Sequence, residues 1–415
     1  MWADARAAIH AQYFQQALVP GTPGAVTRIE PAFPLTANGF VRFGGVDLPN
    51  APDSVSGELA LWARIGSLDG TQGDGDVTSA WAQYRYGAFR AKLGRQLVLP
   101  GSRRYVRFDG ATLGATLGGL DLDVYGGWVA LPRWNQPRGA SLLGFVGDGL
   151  RDPLLLEAQN RAGQVTFGGR LAARFPRDTR IGFSFHEQHD AVGVAARVLA
   201  ADLSTQPLGW LGAGARVALD LQAMDVSEAA VWIDVRKLAA VPIAIDYSYQ
   251  KPSLLLPSTS VLAAFGGAAW HELGAEVTVR ALESLHVTGR GAGQLFEGDQ
   301  LGERAQLQMR WWPGLERRLL VLAEVARVLA PPSGYVQLRA GARLRATETL
   351  ATSLDTALFL YDTPVRGVSS SMTGVASVEW AAKPWVRVLL SGTVMRTPYA
   401  AFEAQALARL VVDSP

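Results

Sequence analysis

The side chains best able to do chemistry in this sequence are arginines, and they recur at the spacing of extended chain. Gln337, Arg339, Arg343 and Arg345 alternate with Val336, Leu338, Ala342 and Leu344, which puts cations on one face of the stretch and aliphatics on the other. The same division sets Arg304 and Arg310 against Leu307, Met309 and Trp311, Arg170 and Arg174 against Leu171 and Phe175, and Arg90 and Lys92 against Phe89, Ala91 and Leu93. A guanidinium is planar, always charged and able to hold a carboxylate or phosphate with two parallel hydrogen bonds. Taken singly, each arginine reads as a brace to an acid such as Glu58, Asp121, Asp123, Asp220, Asp234, Glu272, Glu276, Asp355, Glu379 or Glu403, which share the polar parity. Taken together, the cations outnumber those acids, so an interior lined by this face would concentrate anions.

Other chemistries find less support. His186-Glu187-Gln188-His189-Asp190 has the residue types of a metal site, but on a strand its two histidines point to opposite faces. Asp69-Gly70 and Gly73-Asp74-Gly75-Asp76 read as a loop tip before a calcium site. No Ser, His and acid trio is suggested by spacing, and no glycine-rich phosphate loop leads into a helix. No metal, cofactor or catalytic residue is therefore expected. With no cysteine there is neither a disulfide framework nor a thiolate site. The 39 basic and 37 acidic residues leave a net charge of +2, which argues against nucleic-acid binding, and lysine stands only at 92, 237, 251 and 383.

The elements that must position these cations are strands. From Val77 to Gly110 two alternating runs lie back to back, with Gly87 and Ala88 to turn the chain between them. From residue 55 onward the pattern repeats in segments of about 9 to 13 residues, long enough to cross a bilayer at barrel tilt. Hydrophobic residues make up 48% of the chain at a mean hydropathy of only +0.10, and no stretch approaches the ~18 apolar residues of a spanning helix. Short turns near Gly87, Gly118-Gly119, Pro176, Ala239 to Pro242, Leu282 to Ser284, Pro313-Gly314, Thr347 to Thr349 and Lys383-Pro384 alternate with longer loops. The longest, 132–161 and 252–269, fall on the opposite side and are expected to be extracellular. Tyr84, Tyr86, Phe89, Phe175, Trp311, Trp312, Trp380 and Trp385 sit beside the short turns, with Trp128, Trp134 and Tyr361 at the other ends, as interfacial girdles require.

The fold class is all-β: an antiparallel up-and-down transmembrane barrel of about 18 strands, with a range of roughly 16 to 20. Residues 1–54 are expected to form a separate periplasmic or lumenal segment, partly helical over Ala5 to Leu18, and 55–415 the barrel. Asp4 and Arg6 interrupt any apolar leader, so the numbering is expected to start after a removed signal peptide, with the bacterial outer membrane as destination.

The run Gly94-Arg95-Gln96, followed by Gly101, Arg103, Arg104 and Arg107-Phe108-Asp109-Gly110, resembles the alginate-export type of outer-membrane barrel. There a strand ending in GRQ leads through a Gly- and Arg-bearing loop to an F-D-G turn that opens the next strand. The resemblance implies export of a secreted, acidic polysaccharide, with Arg90, Lys92, Arg95, Arg103, Arg104 and Arg107 among the residues steering it. Arg95 has the parity of the apolar face, so its role comes from the resemblance alone. Implied partners are the polysaccharide chain, outer-membrane lipid and lipopolysaccharide, and a periplasmic export protein. The same polar face also fits an anion-selective or general diffusion porin for small solutes.

Overall fold

The computed structural model describes residues 2–18, 28–48, 51–68, 71–98, 106–130, 164–190, 193–236, 241–251, 254, 269–314, 317–330, 333–365, 367–398 and 401–414. The first strands are β1 (Trp2–Leu18), β2 (Arg28–Ala32), β3 (Leu35–Leu48), β4 (Ala51–Leu68), β5 (Thr71–Tyr86), β6 (Phe89–Val98), β7 (Val106–Leu117) and β8 (Leu120–Val129). Next come β9 (Val165–Phe175), β10 (Thr179–His189), β11 (Val194–Leu208), β12 (Leu211–Asp220), β13 (Asp225–Val235), β14 (Ile243–Gln250), β15 (Trp270–Leu282) and β16 (Leu285–Phe296). The circuit ends with β17 (Gln300–Trp311), β18 (Leu319–Ala330), β19 (Ser333–Arg345), β20 (Leu350–Val365), β21 (Val368–Lys383), β22 (Val386–Arg396) and β23 (Glu403–Asp413).

Each strand pairs antiparallel with its neighbours, and β1 closes the circuit by pairing with β23, Arg6 opposite Asp413 through Tyr13 opposite Ala406. Strands β2 and β3 pair with successive stretches of β1 and are separated by Phe33-Pro34, so they form one wall strand broken where proline has no N–H to give the ladder. The wall therefore has 22 strands, more than the sequence pattern suggested. Two of the extra strands come from the N-terminal segment, β1 and the broken strand β2/β3. Ala5 to Leu18 is strand, not helix, and the expected boundary at residue 54 falls inside β4. The alanines of β1 carry little amphipathic signal of their own, and pairing on both edges decides their conformation.

Both chain ends lie at the same rim as the short turns, among them the Gly118-Gly119 pair, whose φ angles of 55° and 94° suit a two-residue hairpin. Pro176-Arg177-Asp178 achieves a similar reversal with φ of 60° and 49° at Arg177 and Asp178. The strands that flank 131–163 and 252–268 reach those connections at the opposite rim; apart from Leu254, the connections lie outside the described residues.

Parity sorts the side chains as the alternation requires. Leu93, Leu307 and Leu354 are 61%, 51% and 54% exposed on the outer face, an arrangement stable only where hydrocarbon covers it. Tyr86, Phe89, Phe175, Trp311, Trp380 and Trp385 ring the terminus-side rim and Trp128 the other. Two expected girdle members instead face the lumen: Trp312 meets the lumenal His286 edge-on at 5.1 Å, and Tyr361 hydrogen-bonds Ser371 at 2.7 Å. Trp134 is outside the described residues. Among the described residues no helix is long and apolar enough to cross a membrane.

Candidate functional site in the barrel lumen

Most of the lumenal arginines are braces, and several use the same device. Arg90 on β6 reaches past β7 to Asp123 on β8 at 2.6 Å, and the residue between them is Gly114, directly opposite both. Arg170 on β9 meets Asp202 on β11 at 2.6 Å beside Gly182 of β10, which lies opposite Asp202. Arg290 on β16 meets Asp246 on β14 at 2.9 Å beside Gly274 of β15, again opposite the aspartate. A Cβ at any of these glycines would press on the ion pair. Each pair thus ties three strands together where a side chain on the middle strand would block it. The device recurs on the outer face near the loop rim, where Arg327 on β18 reaches Asp362 on β20 at 2.7 Å beside Gly334.

Other expected site residues are also engaged. Arg174 donates to Asp121 at 2.7 Å, Arg339 holds Asp355 at 2.8 Å, and Arg343 lies 3.8 Å from Glu379. Lys92 places its ammonium 4.0 Å from the centre of the Trp81 ring, a cation–π contact within the lumen.

The stretch that resembles the alginate-export family is largely wall. Pairing between β5 and β6 stops at Ala80 opposite Arg95, although both strands continue. A bulge at Thr78 shifts β5 against β4, and Gly94, at φ 113°, bends β6 where a Cβ would strike the Ala80 carbonyl. Arg95 fills the opening. Its Nη1 donates to the Val77 carbonyl at 2.9 Å and to Asp76 at 3.0 Å, while its Nε and Nη2 hold Asp109 at 2.7 Å each. Arg107 donates to the other Asp76 oxygen at 2.7 Å and to the Ala130 carbonyl at 2.8 Å. The apolar parity of Arg95 is thus that of a wall clamp, and the two arginines expected to steer a polymer, Arg95 and Arg107, are engaged with Asp76, Asp109 and backbone carbonyls. Arg103 and Arg104 lie outside the described residues.

Three expected site residues remain: Arg304, Arg310 and Arg345 face the lumen and have no carboxylate partner among the described residues. Beside them Glu276, Thr278, His286, Thr288, Arg290, Gln306, Gln308 and Arg310 line a hollow of about 300 Å³ on the lumenal wall. The sequence emphasis missed a second basic cluster at the terminus-side mouth, where Arg85 and Arg180 join Arg90 and Arg174 around Asp121 and Asp123 in a cavity of about 390 Å³. Its signal was present as charges flanking the short turns at Gly87 and Pro176.

The His186 to Asp190 run separates by face. His186 is buried and accepts or donates a 2.9 Å bond with the Tyr125 hydroxyl, near Phe108 and Val106, whereas His189 and Arg197 both bind Glu187, at 2.6 and 2.8 Å. No group of metal-ligating side chains occurs among the described residues.

A closed antiparallel ladder, an apolar exterior and a charged, hydrogen-bonded interior define a transmembrane β-barrel. No family model matches the chain, and no curated protein resembles it significantly. Solved structures of similar overall shape include the translocation pore of the P pilus usher PapC, at 8% identity and a TM-score of 0.45 over 99% of both chains. OpdK of Pseudomonas aeruginosa matches at 11% identity and 0.41, over 100% of this chain and 98% of its own. OccK3 of the same organism matches at 10% and 0.45, over 99% and 95%. The class assignment rests on the closed ladder itself, and alginate export specifically finds no support.

Proposed function

We propose that the protein is an outer-membrane channel that lets small anionic solutes diffuse through an arginine-lined lumen, with the rim bearing both termini facing the periplasm. The observation that carries this reading is that several lumenal guanidinium groups have no carboxylate partner among the described residues, Arg304, Arg310 and Arg345 of the expected site among them, in a wall where most others are neutralised in pairs. A fixed excess of positive charge on a water-filled passage with low-dielectric walls raises the local concentration of anions and lowers that of cations. No catalytic step is assigned to it.

The test is the reversal potential of the purified barrel in planar bilayers under a potassium chloride gradient. A chloride preference that shrinks as salt rises supports the reading, since screening weakens fixed charge. A cation preference or the absence of conductance overturns it, and block by long acidic oligosaccharides but not by small anions would redirect it to polymer export.

A further inference from the structure

The cluster at the terminus-side mouth has an arrangement that bracing alone does not explain. Arg85 on β5 stands directly opposite Arg90 on β6, and Arg174 on β9 directly opposite Arg180 on β10. Like charges face to face in an antiparallel ladder oppose pairing. Each pair is only half neutralised. Asp123 takes Arg90 through both carboxylate oxygens, and Asp121 takes Arg174 while accepting a 2.8 Å bond from Thr116. Arg180 comes no nearer than 3.9 Å to Asp121, and Arg85 has no carboxylate partner among the described residues. Four guanidinium groups around two carboxylates leave two positive charges facing one cavity of about 390 Å³.

We propose that this cavity binds one compact dianion, a short dicarboxylate or inorganic phosphate, at the periplasmic mouth. Arg85 and Arg180 supply the two uncompensated forks, arriving from strands on either side of the β7–β8 hairpin that carries both aspartates. A dianion neutralises both forks at once, whereas a monoanion leaves one cation facing its like-charged neighbour. Planar forks favour oxyanions that accept two parallel bonds. The cavity opens to solvent at the rim, so its occupancy falls with ionic strength. The proposal rests on the anion-channel reading for its role as a capture site; the binding itself is tested separately.

The experiment has two arms on the intact protein. In bilayers, succinate, phosphate and acetate are added at matched ionic strength to one side and then the other, and block of chloride current is read. Succinate or phosphate is expected to block at lower concentration than acetate, and at lower concentration from the terminus side. Arg85→Gln with Arg180→Gln should weaken that block at least about fivefold, since each lost contact is a charged hydrogen bond, while removal of the neutral pair by Arg339→Gln with Asp355→Asn leaves it unchanged. Equal block by acetate and succinate, or full block in the double variant, overturns the proposal. In detergent, calorimetry of the unsubstituted protein compares the same three anions, with the order of succinate and phosphate telling which source the site prefers. Dianion binding in a barrel that proves cation-selective would retain the site and reject the channel reading; anion selectivity without dianion binding would do the reverse. Should the double glutamine variant fail to assemble, Arg85→Lys with Arg180→Lys keeps the charge and removes the fork, and undiminished affinity there counts against the proposal.

Discussion

Arg90 and Asp123 are joined at 2.6 Å over Gly114, although β7 runs between their strands. The glycine is what allows it. In a wide barrel the strands are hydrogen-bonded only to immediate neighbours, so a contact that skips a strand resists shear between hairpins in a way the ladder cannot. Gly182 and Gly274 permit the same contact elsewhere in the lumen, and Gly334 on the outer face.

Two alanine substitutions should therefore differ in a defined way. At Gly114 an added Cβ meets the movable ends of Arg90 and Asp123, so the pair separates and the cost is that of a partly exposed ion pair, about 1 kcal/mol. At Gly94 the Cβ meets the Ala80 backbone carbonyl at φ 113°, and the strand itself must shift, for roughly 3 kcal/mol or more. Urea midpoints in lipid vesicles measure both; equal shifts would show that the two glycines serve the same purpose.

Arg95→Gln removes the side chain that spans the unpaired stretch between β5 and β6. It leaves Asp76, whose side chain is only 10% exposed, without one of its two arginines, and strips the Val77 carbonyl of its donor. A loss of roughly 2 to 3 kcal/mol is expected, together with faster proteolysis near Val77 and Gln96. An unchanged unfolding midpoint would mean that the opening is bridged by something else.

Charge selectivity should depend on whether a cation is removed alone or with its acid. Arg304→Gln, Arg310→Gln and Arg345→Gln together remove three uncompensated charges and should lower the chloride-to-potassium permeability ratio roughly twofold or more. Arg339→Gln with Asp355→Asn removes a neutral pair held at 2.8 Å and should leave the ratio unchanged. Asp355→Asn alone frees Arg339 and should raise it. Reversal potentials decide, and a ratio that responds equally to the triple and the paired double variant would falsify the assignment of excess charge.

The alternation of Arg304 and Arg310 with Leu307, or of Arg339 with Leu338, was legible in the sequence because strand parity has a fixed period and needs no partner to be read. The alanine-rich β1 was not, since its small side chains mark neither face strongly and its conformation comes from β3 and β23. Nor could parity say which arginines were neutralised. Asp123, Asp202 and Asp246 lie two strands from their partners, and only the register through an intervening glycine brings them together. Tyr361 and Trp312 had the right distance from a turn for a girdle but the lumenal parity, and parity prevailed.

That precedence of face over position along the strand gives the last prediction. Leu307 and Gln308 are consecutive on β17, one pointing into the bilayer at 51% exposure and the other into the lumen, where its amide donates to Glu324 at 2.9 Å. Leu307→Arg places a cation in hydrocarbon between the aromatic rim at Trp311 and the loop-side end at Leu301, with no lumenal acid in reach; near the bilayer midplane that costs about 2 to 4 kcal/mol. Gln308→Arg puts the same charge one residue on, directly opposite Glu324. It gains an ion pair and should assemble as well as the unsubstituted protein, with a modest rise in anion selectivity. Folded fraction by heat-modifiable gel mobility after refolding into vesicles compares the two. If Leu307→Arg assembles normally, or if both variants fail alike, the outer face of β17 is not in contact with lipid and the transmembrane assignment of this wall falls with it.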